Sequence, residues 1–157
     1  MLRSMPPGER RLQLDSIAEE DHHDSALEPS GDLSPGMIVA GKFALVRLIA
    51  RGEIAQVFEA EDTLIGRRVA LKVLSDRFAS EPDVVHRFRQ EAQATALVAH
   101  PHVVAIFEIG RRMNGALYIV EELLNGPTLH EHRVQRGKLG EDEALRIITP
   151  IAGALAT

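Results

Sequence analysis

Short links set the first limit on what this chain can fold into. Three apolar runs of strand length, 43–50, 56–61 and 67–74, follow one another across five-residue links. A parallel pairing needs a crossover of about a dozen residues or more, so runs this close predict an antiparallel meander. The second link, Asp62-Thr63-Leu64-Ile65-Gly66, reads as a compact turn. A helix is expected to open at Ser80: Ser80-Glu81-Pro82-Asp83 offers a capping serine, a first-turn proline and an acid three residues on. Val84, Val85, Phe88, Ala92, Thr95 and Ala96 lie along one face of that helix, and His100-Pro101-His102 ends it. Two more strands are expected over 103–109 and 116–120, joined by a loop ending in the hairpin signal Asn114-Gly115. After Asn125-Gly126-Pro127, residues 128–135 and 141–156 read as helices. The predicted fold class is therefore α+β, with one five-stranded antiparallel sheet, one helix packed on it, and two C-terminal helices.

Charge is distributed unevenly along the 157 residues, a length that suits one domain. Residues 1–36 carry eight acids against three bases, and the remainder carries fifteen of each, so the formal charge of −5 belongs to the leader. Pro6-Pro7-Gly8, Glu19-Glu20-Asp21 and Pro29-Ser30-Gly31 are poor core material, which predicts a disordered acidic leader over 1–36 with at most a transient helix over 10–20. A neutral folded part with a single Tyr and no Trp offers neither a basic face nor a stacking platform, so no nucleic-acid partner is expected. The absence of cysteine excludes disulfides and thiolate metal sites. The pairs His22-His23, His100/His102 and His130/His132 lack a third ligand at metal-binding spacing, so no metal site is expected from them. No apolar run reaches the ~18 residues of a membrane span, and Arg3, Arg10 and Arg11 precede no apolar signal core. A cytoplasmic location is the resulting expectation. Neither a G-x-x-x-x-G-K-[ST] loop nor a G-x-S-x-G elbow is present.

Five short motifs, in one order, point to a family. Val69-Ala70-Leu71-Lys72 fits a V-A-I-K strand, and nineteen residues on Glu91 sits in Arg87-Phe88-Arg89-Gln90-Glu91-Ala92. His100-Pro101-His102-Val103-Val104, Leu117-Tyr118-Ile119-Val120-Glu121-Glu122-Leu123 and Asn125-Gly126-Pro127-Thr128-Leu129 follow. Together they resemble the N-terminal lobe and first C-terminal-lobe helices of protein kinases, closest to the bacterial serine/threonine kinases. The resemblance implies a kinase-like domain over 37–157, with the N-lobe at about 41–124 and the hinge and first C-lobe helices at about 125–157. It implies ATP as ligand, with Mg²⁺ as the family's metal. Lys72 would bind the nucleotide's α/β-phosphates, and Glu91 would hold Lys72 as its ion-pair partner. Ala50, Gly52 and Ala55 would form the phosphate loop, Val57 and Ala70 the adenine wall, and Glu121, Glu122 and Leu124 the back of the pocket and the hinge.

This chain also departs from the family pattern. Of the three loop glycines only Gly52 is kept: Ala50 and Ala55 replace the outer two, and Glu53 adds a carboxylate. Glu121 stands where the family usually has an apolar residue beside the adenine, on the same side as Lys72, so competition with Glu91 and the phosphates for Lys72 is expected. The catalytic-loop pattern H-R-D-x-x-x-x-N and the metal-binding D-F-G are absent from the 157 residues. Two readings follow: the ATP-binding part of a serine/threonine kinase, inactive as this chain alone, or a non-catalytic kinase-like module that works through partners. In either case the apolar positions Leu145, Ile148, Ala152 and Leu155, with Ile147 and Ile151 beside them, predict a C-terminal helix that seeks a protein partner.

Overall fold

A computed structural model describes residues 32–156. The expected helix at 10–20, and the leader up to residue 31, lie outside the described residues. In chain order the elements are β1 (Ile38–Val39), β2 (Phe43–Arg51), β3 (Ala55–Asp62), β4 (Arg67–Leu74), a 3-10 turn (Asp76–Phe78), α1 (Pro82–Leu97), β5 (Ile106–Arg111), β6 (Leu117–Glu121), α2 (Leu129–Arg136) and α3 (Glu141–Leu155). The sheet is antiparallel throughout and runs β1-β2-β3-β4-β6-β5. The predicted meander is β2-β3-β4. Its second link is pinned by the Asp62 carboxylate, which accepts the Leu64 N–H at 3.0 Å, and by Gly66, which donates to the Asp62 carbonyl at 2.8 Å with φ of 66°.

Three details differ from the sequence reading. The sheet has a sixth strand, β1, too short at two residues to leave a periodic signal. It folds back on β2 through Ala40 and Gly41, both at positive φ, a conformation glycine adopts freely and alanine rarely does. The helix cap is Glu81, not Ser80, and its side chain makes no capping bond. Pro82 explains this: the residue before a proline is driven to extended backbone, and Glu81 has φ −95° and ψ 100°. Finally, β5 begins at Ile106 rather than at 103, because residues 101–103 are taken up by a turn in which Val103 N–H donates to the His100 carbonyl at 3.0 Å.

Strand alternation gives the sheet two apolar faces. One gathers Val39, Phe43, Leu45, Phe58, Ala60, Val69, Leu71, Val73, Tyr118 and Val120, and Leu33 joins it from before β1. The other receives α1, packing Phe88 and Ala92 against Ala55, Leu74, Ile109, Leu117 and Ile119. Each fully buried Phe, Leu, Ile or Val contributes about 1.5–3 kcal/mol. The sheet curls until its opposite edges meet on the face away from α1. There Lys42, in the β1–β2 turn, pairs with Glu108 of β5 at 2.7 Å, and the Tyr118 hydroxyl donates to the same carboxylate at 2.7 Å. Phe43 packs edge-on against the Tyr118 ring at 5.7 Å.

Beyond the sheet, Thr128 and Glu131 form a reciprocal cap on α2, a T-x-x-E signal readable in the sequence. His132 joins Glu143 of α3 at 2.9 Å, and this bond holds the Glu143 carboxyl below its ordinary range. Leu145, Ile148, Ile151 and Leu155 are all exposed on α3.

The Tyr118 ring reaches Glu108 by lying across Gly110, where an added Cβ would meet ring atoms at 2.3 Å. Gly110→Ala is therefore expected to displace the ring and destabilise the fold by about 1–3 kcal/mol. Urea unfolding of the two proteins checks this, and equal midpoints would show that the ring has room to move.

Candidate functional site

The α1-facing side of the sheet carries two rows of side chains that the register makes neighbours. Ala50 opposes Val57, Val57 opposes Lys72, and Lys72 opposes Ile119. One step along, Glu59 opposes Ala70 and Ala70 opposes Glu121. Directly opposed residues share a face, and residues two apart on a strand share it too. Val57, Ala70, Lys72 and Glu121, far apart in sequence, thus lie on one surface, the surface that α1 covers in part.

Lys72 is held at the centre of this surface. Its ammonium pairs with Glu91 of α1 at 2.7 Å and lies 5.4 Å from the Phe88 ring centroid. Phe88 and Glu91 are three residues apart, so α1 presents both on neighbouring turns of one face. The Lys72 side chain is 21% exposed and that of Glu91 62%. A pair this open to water contributes no more than about 1 kcal/mol to stability. Its larger effect is positional, since it fixes the lysine head group and ties α1 to β4.

Glu121 is the anomalous group. It is partly buried, and among the described residues its carboxylate makes no hydrogen bond or ion pair. Burial pushes its carboxyl above the ordinary 4.5; nearby Lys72 pulls it down and Glu91 pushes it up. The neighbouring acid Glu59 is satisfied, with Arg47 and Arg68 each at 2.6 Å. This neutralised cluster was missed in the sequence, although alternation along β3 puts Glu59 on the same face as Val57.

The remaining candidate residues frame the surface. Gly52 turns the β2–β3 hairpin, its N–H donating to the Ala55 carbonyl at 2.9 Å. An added Cβ there would sit 3.2 Å from that oxygen. The turn is tied to the segment after β4: Ser75 N–H donates to the Ile54 carbonyl at 2.9 Å, and the Arg77 guanidinium donates to the Glu53 carbonyl. Ala55 itself is buried in the core beside α1. At the other end, Glu122 is bound to Ala105 through its own N–H at 2.9 Å, and its carboxylate accepts the Ala105 N–H at 3.5 Å. Leu124 is 64% exposed, and among the described residues its backbone groups make no hydrogen bond. A cavity of about 360 Å³ opens elsewhere, lined by Gln56 and Val73 among others. These two side chains point to the opposite face from Val57 and Lys72, while Gly52, Glu53 and Leu74 line the same cavity where it meets the β2–β3 turn.

Comparison with known proteins adds the following. The family described as "Protein kinase domain" matches residues 43–157. Serine/threonine-protein kinase PknA of Mycobacterium tuberculosis is 40% identical over 124 residues, covering 76% of this chain and 29% of its own length. Serine/threonine-protein kinase PrkC of Bacillus subtilis is 36% identical over 121 residues, covering 77% of this chain and 18% of its own length. The crystal structure of the Mycobacterium tuberculosis PknI kinase domain superposes with a TM-score of 0.64 at 29% identity, covering 80% of this chain and 51% of that one. The chain thus spans less than a third of these two curated relatives.

Glu121 yields a test by stability alone. A carboxyl raised in the folded state stabilises the fold below its ordinary value of 4.5, and this contribution is lost as pH rises through the folded-state value. Glu121→Gln is therefore expected to gain stability over the unaltered protein at pH 7 and to lose that advantage towards pH 4. Urea midpoints at both pH values check it; a difference that does not vary with pH would place Glu121 in water.

Proposed function

Because the chain belongs to the protein kinase family, we propose that its Lys72 surface is the ATP-binding part of a serine/threonine protein kinase. The observation that carries this reading is the Lys72–Glu91 ion pair at 2.7 Å, set on the same face as Val57 and Ala70. The residues present fit an adenine nucleotide. Lys72 supplies the cation for the α/β-phosphates, and Glu91 keeps its head group in place. Val57 and Ala70 form a small apolar wall for the base. The backbone groups of Glu122 and Leu124 lie at the chain's exit from β6, where an adenine edge would find a donor and acceptor. Ala50, Gly52 and Ala55 bound the turn over the phosphates.

Phosphoryl transfer rests on positioning and on metal-assisted charge stabilisation. Mg²⁺ is the family's means of neutralising the phosphates. Among the described residues no group of three or more His, Asp or Glu gathers to hold a metal ion. With the catalytic-loop and D-F-G patterns missing from the 157 residues, we assign no transfer activity to this chain by itself. Among the described residues no helix is long and apolar enough to cross a membrane. A nucleotide site of this kind draws on ATP, and we propose that this domain works where ATP is held, in the cytoplasm.

A second reading, a non-catalytic interaction module, is favoured by two features. The Gly52 N–H is already committed to Ala55, and the α3 face of Leu145, Ile148, Ile151 and Leu155 lies open. Full burial of such a side chain is worth roughly 1.5–3 kcal/mol, and Leu145, Ile148 and Ile151, about half exposed, leave about half of that unrealised, which suits a protein partner.

Titration of the full chain with a fluorescent adenine nucleotide tests the first reading. Saturable binding is expected, weakened at least about tenfold, or about 1.4 kcal/mol, by Lys72→Ala. Binding indifferent to Lys72 would overturn it. Incubation with labelled ATP, Mg²⁺ and a basic protein substrate should give no transfer above buffer; transfer abolished by Lys72→Met would show that the chain is a competent enzyme. The open α3 face predicts dye binding and self-association, both reduced by Leu145→Glu with Ile148→Glu, and a monodisperse, dye-silent unaltered chain would contradict it.

A further inference from the structure

Among the described residues Lys72 lies near two carboxylates that no other base neutralises, Glu91 and Glu121, and it pairs with Glu91. We propose that Glu121 sets this site's hold on nucleotide as a second carboxylate for Lys72, so that an anionic phosphate binds beside Lys72 only as Glu121 takes up a proton from solvent. The inference rests on the nucleotide reading above and adds to it the residue that governs affinity.

The geometry leaves Glu121 few other ways to be neutralised. From β4 it meets Ala70 and, two residues along the same face, Lys72. From β5 its opposing residue is the apolar Ile106. From α1 the charged group that acts on it is Glu91, a like charge. Glu59, beyond Ala70 on the same face, is already matched by Arg47 and Arg68. The adjacent acid Glu122 points its carboxylate to the Ala105 N–H. Among the described residues Lys72 is thus the one positive charge acting on Glu121, and it is engaged by Glu91. A phosphate arriving at Lys72 brings further negative charge to a partly buried group that already resists ionisation. Proton uptake then removes the repulsion: the carboxylate and a solvent proton become a neutral carboxylic acid, and the phosphate takes the vacated share of the Lys72 field. By linkage, whatever raises proton affinity on nucleotide binding must raise nucleotide affinity at lower pH.

The probe is ADP with Mg²⁺, titrated calorimetrically into the full chain and into Glu121→Gln from pH 5.5 to 8.5, in pairs of buffers with different ionisation enthalpies. Ionisation of the nucleotide's own phosphate is common to both proteins and cancels in their difference. For the unaltered chain, proton uptake in excess of the variant's is expected, with Kd weakening by up to about tenfold per pH unit across the uptake window. For Glu121→Gln, tighter binding at pH 8 by about tenfold or more and no excess uptake are expected. Equal affinity and equal uptake in the two proteins overturn the inference and leave the nucleotide reading intact. No binding by either protein overturns the nucleotide reading itself, and this inference with it. If Glu121→Gln does not fold, carbon-detected NMR of the Glu121 carboxyl in the unaltered chain decides instead: its titration midpoint should rise on adding ADP and Mg²⁺, and an unmoved midpoint refutes the proposal.

Discussion

A β-strand must send successive side chains to opposite faces, and β4 uses that rule to serve two environments at once. Val69, Leu71 and Val73 enter the apolar layer that closes the curled sheet, while Ala70, Lys72 and Leu74 face α1. The lysine is tolerable there because its neighbours on the strand anchor both layers and because α1 brings a carboxylate to within 2.7 Å. Shifting β4 by one residue would bury the ammonium in the closed layer and expose Leu71. The position of Lys72 is therefore a consequence of core packing, with the ion pair adding direction to a head group that the strand has already delivered.

Much of this was legible beforehand, and the reasons are local. The meander, its Asp62–Gly66 turn and the α1 face follow from chain length, turn chemistry and helical period, which depend on neighbours within a few residues. The same is true of the order of the kinase-like motifs. What escaped reading depended on partners distant in sequence or on a conflict between local signals. β1 exists through pairing with β2 and has no period of its own. At the start of α1, serine's capping preference met proline's demand on the preceding residue, and the proline prevailed. The Glu59 cluster required knowing that Arg47, Glu59 and Arg68 come from three adjacent strands.

The site shows the same division. A lysine and a glutamate nineteen residues apart can be suspected from a motif, but their contact depends on how α1 docks on β4. Which face Glu121 occupies hinges on a register that one slipped residue would reverse; the pairing of Ala70 with Glu121 puts it beside Lys72. That it has no bonded partner among the described residues then becomes informative, because a partly buried carboxylate held near a lysine without a bond resists charging in a way that a surface acid does not.

The closure of the sheet has a temporal side. Lys42 and Glu108 are 66 residues apart, and the Tyr118 ring that covers Phe43 comes later still. Contacts so distant cannot form until the intervening chain exists and its loop-closure entropy has been overcome. During synthesis, the β2-β3-β4 meander leaves the ribosome with Phe43, Leu45, Phe58 and Leu71 lacking the cover that Tyr118 and Val120 later supply. For that interval the nascent sheet offers β4 as an unpaired edge, awaiting β6 across an apolar layer open to water. An edge of this kind is a template for chaperones and for other nascent chains alike. The ion pair that joins the β1–β2 turn to the edge strand β5 can close only after the whole meander has been made, so during synthesis the meander passes through an interval without it.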